Sequence, residues 1–399
     1  MYLTLPIILF DHMKKKIAIP AAGMLALSYG LSAGAPRIQP GTPQPAQAYY
    51  LIVGTYAPAD SAGIYVFRFH PATGHADLVS TVTGIENPSF LTLSADLSHV
   101  YAVSETHGGK GGQVYAYAFD RTSGKLHFVN KRWSDGDDPC NIITDASGKW
   151  LFVSNYTSGS LSVFPLEKDG SLGAMAQHIQ HEGHSVKPQQ KSAHVHCVMP
   201  APGGRDVFVT DLGMDRIFTY ELNAKTGQLA PGEPPYTPVA TGTGPRHIIF
   251  SPDGKFLYLI QELGGEVTVF RYEPGKLTQV QTLSNVPKDY HGRIWAADIH
   301  FSPDGKFLYA ANRDDLNDIV IYAVDQTTGK LTYQDRVKTG GQTARNFTLS
   351  PAGKYLLVGH QNGPEIHVFN RDAATGGLTR LNTSIPVPHA VCLKMCPVE

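Results

Sequence analysis

One turn recurs seven times along this chain, and that repetition limits the folds open to it. A Gly-centred segment stands just before a Leu. It reads PATGHADL (71–78), RTSGKL (121–126), EKDGSL (167–172), AKTGQL (224–229), EPGKL (273–277), QTTGKL (326–331) and AATGGL (373–378). The copies lie roughly fifty residues apart with only strand-like patterns between them. A period of about 40–50 residues built of strands is the pattern of propeller blades.

A second turn reads SADLSHVY (94–101), DASGKWLF (145–152), APGGRDVF (201–208), SPDGKFLY (251–258), SPDGKFLY (302–309) and SPAGKYLL (350–357). Pro presets φ, and Gly accepts positive φ. Each copy joins two strand-like runs into a hairpin. The second turn occurs six times and the first seven times. The strand Tyr49 to Thr55 has no inner partner before it, and His389-Ala390-Val391-Cys392-Leu393-Lys394 reads as an inner strand at the far end. The expected fold is therefore all-β: a seven-bladed β-propeller, its ring closed by the C-terminal strand joining blade 1, with no sheet edge left open. Blades should start near 49, 87, 139, 193, 245, 296 and 344.

Lys14-Lys15-Lys16 precedes an apolar run from Ile17 to about Leu31, then Ala33-Gly34-Ala35. A basic segment, a short apolar core and small-x-small residues make an export signal, too short to span a bilayer comfortably. Residues 1–35 are thus expected to be a signal peptide, with Met13 a possible true start. Residues 36–48 read as a Pro/Gln-rich linker, and 49–399 as the propeller. The expected location is periplasmic or extracellular, or cytoplasmic if the leader does not function, with no membrane attachment after its removal. The 33 Lys and Arg nearly balance the 34 Asp and Glu. That balance gives no support for nucleic-acid binding. Cys140, Cys197, Cys392 and Cys396 show no metal spacing, and their pairing is left open. The spacing of His181, His184, His194 and His196 fits no common zinc site. Neither a metal nor a cofactor is expected.

In a blade with strands A to D from the axis outward, the starts of A and the ends of B share one mouth of the channel. The A-starts carry Asn141, His194, His196, Arg246, His247, Asp298, His300, Arg345 and Asn346. The B-ends carry Glu105, Asp211, Glu262, Arg313 and Gln361. Such a ring suits a small polar, anionic ligand. Arg246 and Glu262 are natural partners, because an unpaired buried guanidinium is costly.

The segments Gly244-Pro245-Arg246-His247, Gln261-Glu262-Leu263, Arg293 to His300 and Arg345-Asn346-Phe347 resemble the propeller-type 6-phosphogluconolactonases. The fungal carboxy-muconate lactonising enzyme belongs to the same family. The resemblance covers essentially everything after residue 48. It implies metal-free hydrolysis of 6-phospho-D-glucono-1,5-lactone, a small anionic sugar lactone. It further implies a catalytic set drawn from His194, His196, Arg246, Glu262 and Arg345. Arg293, His247, Asp298, His300, Asn346 and Gln361 are then expected around the substrate. The chain departs from the family at Asn141, where a His commonly follows Pro-Cys, and at Ala344, where Pro is usual. Export is a third departure, since the phosphorylated lactone is a cytoplasmic metabolite. A lactone-forming cycloisomerase and an exported, non-catalytic ligand-binding propeller are the alternative readings.

Overall fold

The structure is a computed structural model and describes residues 48–399 except Lys110. The leader and most of the linker lie outside the described residues. Seven four-stranded antiparallel sheets make up the fold. Blade 1 combines Ala390–Pro397, Tyr49–Thr55, Ile64–His70 and His75–Val82. The A and B strands of the other blades are Leu91–Leu93 with His99–Ser104, Pro139–Thr144 with Trp150–Asn155, and Val195–Pro200 with Asp206–Asp211. Pro245–Phe250 with Phe256–Gln261, Ala296–Phe301 with Phe307–Asn312, and Ala344–Leu349 with Tyr355–His360 complete the ring.

The ring closes where the unequal turn counts place it. Tyr49–Thr55 pairs with Ala390–Pro397, from Tyr49 opposite Pro397 to Thr55 opposite Ala390. The closing strand begins and ends later than the sequence pattern indicates. His389 takes a positive φ of 54° and belongs to the preceding turn. Blade 2 differs in the same way. Its A strand starts at Leu91 rather than near 87, because Asn87 has φ 44° and starts a turn through Pro88.

The repeated glycines serve both conformation and packing. Gly74, Gly124, Gly170, Gly227, Gly275, Gly329 and Gly376 all have φ between 70° and 77°. A Cβ on Gly227 would lie 2.3 Å from the Trp150 ring, and one on Gly329 would lie 2.4 Å from Phe256. Except at Gly275, the C–D turn of one blade thus sits against a ring of the blade before it, which only glycine permits. Seven apolar clusters fill the seven seams between neighbouring blades. Every residue is buried in strands such as Phe256–Gln261 and Phe307–Asn312, which explains their unbroken apolar runs. Outer strands such as Lys125–Trp133 face solvent.

The seam between blades 7 and 1 is as apolar as the rest. Ile366 and Val368 pack with Leu51, Val53 and Leu393. Ending the chain at Pro388 should remove the inner strand of blade 1 and leave the inner edge of Tyr49–Thr55 unpaired. Thermal unfolding followed by circular dichroism should then lose its single cooperative transition; an unchanged transition would contradict closure by this strand.

Candidate active site

Two backbone features, repeated blade by blade, decide which side chains face the mouth. First, the residue just past each B strand donates its N–H to a carbonyl on the segment leading into the A strand. The pairs are Tyr56 to His389, Glu105 to Asn87, Tyr156 to Asp138, Leu212 to His194, Glu262 to Gly244, Arg313 to Trp295 and Gln361 to Thr343, at 2.7–3.1 Å. Second, a β-bulge opens each A strand whose register covers the position. The register shifts at Ala390/Cys392, Pro139/Asn141, Val195/Cys197, Pro245/His247, Ala296/Ile299 and Ala344/Asn346. A bulge breaks the two-residue alternation and re-aims the inserted side chain. The inserted residues include Cys140, His196, Arg246 and Arg345.

Glu262 is the hub of the upper layer. Its Oε2 accepts from Arg246 Nε at 2.8 Å and pairs with Arg313 Nη2 at 2.7 Å. Its Oε1 accepts from Trp295 Nε1 at 2.6 Å. Burial alone would raise its pKa, but Arg313, Arg246 and Trp295 outweigh burial and bring it down to about 2. An acid so tightly ionised orients its partners and cannot take a proton near neutrality. Arg246 uses Nε on Glu262, and Nη1 on Ala297 O and on His247 Nε2. No hydrogen bond within the described residues engages its Nη2.

His196 is buried, with Nε2 3.9 Å from Glu262 Oε2 and Nδ1 3.9 Å from Cys140 Sγ. Both contacts are too long for ordinary hydrogen bonds to nitrogen. Burial, then the charges of Arg246, His247 and Arg345, pushes its pKa well below 6.5. Glu262 does not reverse this, because two guanidiniums already balance its charge. His196 is thus a neutral imidazole that keeps a lone pair at neutral pH. Cys140 is no nucleophile: burial, reinforced by Glu105, holds its thiol well above its ordinary pKa. His194 stacks on Tyr156 at 4.6 Å, and its Nδ1 meets Tyr156 O at 3.0 Å. A carbonyl only accepts, so Nδ1 of His194 carries the hydrogen.

Across the mouth, Arg345 reaches Gln361 Oε1 at 3.4 Å and lies over the Tyr56 ring at 5.4 Å. Glu105 accepts from Tyr56 Oη at 2.8 Å and from Ser89 Oγ. Burial drives the Glu105 pKa up, and Arg345, Ser89 and Tyr56 offset only part of that. Beside this ring opens a cleft of about 320 Å³, lined by Tyr156, Lys187, Glu262, Arg293 and Trp295. That lies within the roughly 300–1,000 Å³ of small-molecule sites. Arg293 lies 3.6 Å from the Trp295 ring, on the rim, with Asp314 at 3.5 Å.

Four of the residues expected around substrate lie one layer deeper. His247 Nδ1 is 2.8 Å from Asp298 Oδ1, and His300 Nε2 is 2.9 Å from Asp298 Oδ2. Asn346 Nδ2 donates to the same Oδ2. Asp298 is only 2% exposed, and its bonds are made within the protein. His247, Asp298 and His300 line a narrow cavity of about 100 Å³ that also meets Asn141 and Lys394. Asn141 has a structural role. Its Oδ1 accepts from Val198 N at 3.2 Å, tying blade 3 to blade 4.

The histidine-rich segment does not converge. His181 is buried between Asp211 and Tyr220, at 2.8 and 2.9 Å, while His184 is exposed. The sequence puts Arg313, Glu105, Tyr56 and Tyr156 at the B-ends of this mouth but assigns none of them a catalytic or substrate-binding role. All four occupy the position just past a B strand that Glu262 and Gln361 occupy in their blades, so the blade repeat itself marks them. Trp295 is likewise given no role, although the guanidiniums of Arg293 and Arg313 both lie over its ring, at 3.6 and 4.2 Å.

A family model described as the lactonase, seven-bladed β-propeller, matches residues 50–395. A 6-phosphogluconolactonase of Bacillus subtilis is 34% identical over 348 residues, covering 87% of this chain and 98% of the relative. A 6-phosphogluconolactonase of Formosa agariphila is 36% identical over 336 residues, covering 84% of this chain and 95% of the relative. The solved structure of a periplasmic gluconolactonase of Pseudomonas aeruginosa aligns with a TM-score of 0.85 at 36% identity, covering 88% of this chain and 100% of that one. The chain therefore belongs to the seven-bladed β-propeller lactonase family.

Proposed function

We propose that this protein hydrolyses a gluconolactone, plain or 6-phosphorylated, at the mouth built around Glu262. One observation carries the reading: a buried Arg246 is locked by Glu262 with its Nη2 uncommitted, beside a neutral His196. Lactone opening needs a deprotonated water, a stabilised oxyanion and a proton for the leaving ring oxygen. His196 takes the proton as water adds to the carbonyl carbon, then returns it to the ring oxygen as the C–O bond breaks. Arg246 Nη2 and the Arg345 guanidinium stabilise the tetrahedral oxyanion. The product is the open hydroxy acid, which ionises in solution. Glu262 fixes the plane of Arg246 and is not the base.

The rim cleft supports a phosphorylated substrate. Arg293 and Lys187 bring two cations to one opening beside Glu262 and Trp295, and Arg suits bidentate phosphate recognition. The periplasmic gluconolactonase among the relatives, together with the signal-like leader, supports export and an unphosphorylated sugar. A panel of glucono-1,5-lactones with and without a 6-phosphate, measured against spontaneous opening, separates the two. Arg246→Ala should lower kcat about 10²-fold on every lactone that turns over. Arg293→Ala should raise KM for the phosphorylated lactone alone. No rate above the uncatalysed one on any lactone would contradict the reading, as would an unimpaired Arg246→Ala.

The depressed pKa of His196 has a defined consequence. The basic form of this group persists at every pH above its lowered pKa. The acid limb of kcat/KM should therefore fall below 6.5. An acid limb at or above that value would remove His196 from the role of base.

A further inference from the structure

We propose that Asp298 is a positioning residue: it fixes the tautomer of His247, and through His247 it sets the guanidinium plane of Arg246. The inference rests on the reading that Arg246 stabilises the oxyanion.

Donor chemistry fixes the first contact. A guanidinium has five N–H donors and no acceptor. Arg246 Nη1 lies 3.1 Å from His247 Nε2. His247 Nε2 must therefore present its lone pair. Burial, then the Arg246 charge, pushes the pKa of His247 down to about 4, so the ring is neutral at pH 7. Its single hydrogen sits on Nδ1, and Nδ1 is 2.8 Å from Asp298 Oδ1. The opposite tautomer would set two donors face to face at Arg246 and a lone pair against a carboxylate oxygen.

Asp298 is built to accept. Burial opposes its charge, yet His300 and His247 hold it well below the ordinary carboxylate range. Its other oxygen takes His300 Nε2, Asn346 Nδ2 and, at 3.4 Å, the N–H of Phe347. Asn346 Oδ1 in turn accepts from Leu393 N at 2.7 Å, on the ring-closing strand. The carboxylate thus gathers donors from blades 5, 6 and 7, and the network continues into blade 1.

The consequence for Arg246 is geometric. Glu262 takes Nε, Ala297 O and His247 Nε2 take Nη1, and the two N–H groups of Nη2 remain for a ligand. Losing the His247 acceptor frees the planar guanidinium to turn as a unit about the Cδ–Nε bond. A tautomer chosen one layer down then decides where the donors of Nη2 point.

Asp298→Asn tests this sharply, because the direction of its amide is dictated. Three donors converge on the Oδ2 position, so the amide oxygen belongs there and the NH₂ faces His247 Nδ1. That forces the hydrogen of His247 onto Nε2, against Arg246. In histidine-labelled wild-type protein, ¹⁵N chemical shifts should show His247 as the Nδ1–H tautomer; His247→Gln assigns the signals. Asp298→Asn should invert the pattern and lower kcat on the order of 10²-fold, as loss of one aligned oxyanion donor does, with KM nearly unchanged. His247→Gln offers an amide oxygen to Arg246 and has no tautomer to invert, so adding Asp298→Asn to it should change kcat less than about threefold.

An Nε2–H tautomer in the wild type overturns the proposal whatever the variants do. So does an equal loss from Asp298→Asn in both backgrounds, which would make Asp298 only a structural staple. A wild-type protein that opens no lactone removes the functional reading, while the ¹⁵N measurement still decides the tautomer.

Discussion

One backbone hydrogen bond per blade, from the residue after strand B to a carbonyl leading into strand A, holds the mouth together. It pins the two strand ends at one height, so that the next side chain along each faces the axis. Backbone groups buried here have no water to turn to, and their pairing is close to obligatory. Five of the seven accepting carbonyls belong to residues with positive φ: His389, Asn87, Asp138, Gly244 and Thr343. That conformation turns the chain sharply into strand A and sets up the bulge that follows. In the blade of Arg246 the residue is Gly244, and a Cβ there would lie 2.9 Å from Leu263. The site is thus a property of the blade repeat, with different side chains placed in equivalent positions.

Electrostatics then settles what those side chains can do. Stripping a buried charge of its partner costs about 3–5 kcal/mol. Glu262 is protected from that by having two guanidiniums and an indole N–H. Arg246 can therefore engage a ligand while Arg313 continues to balance the carboxylate. Burial keeps His196 and His247 neutral, whereas at Glu262 the cations Arg313 and Arg246, and at Asp298 the donors His300 and His247, outweigh burial and keep both carboxylates ionised. In the proposed mechanism the two carboxylates then serve as fixed anions, His196 as the proton carrier and His247 as an acceptor of fixed tautomer.

Much of this is legible in the sequence, for physical reasons. The Gly-centred turns are forced by positive φ, and at six of the seven by a ring packed against them, so they recur visibly and give the blade count. Their mismatch with the hairpin turns locates the closure. Arg246 and Glu262 can be paired because they end neighbouring strands of one blade. Arg313 cannot be added from spacing, since it meets Glu262 across a seam between blades. The depth of His247 and Asp298 is also hidden. Strict alternation would put Arg246 and His247 on opposite faces, and only the bulge between Pro245 and His247 brings their side chains within 3.1 Å. The role of Asn141 is obscured for a similar reason, because its partner is a backbone N–H of the next blade.

The central claim is that the bulged A strands and the ends of the B strands gather one ligand site at this mouth. A crystal structure with the hydrolysis product, gluconate or 6-phosphogluconate, tests it most directly. The product carboxylate should lie within hydrogen-bond distance of Arg246 Nη2, beside His196, with any phosphate at the rim near Arg293. Ordered product seated elsewhere, such as the cleft around Ser251, Asp253 and Gln326 at the hairpin turns of the opposite face, with this mouth holding none, would contradict it.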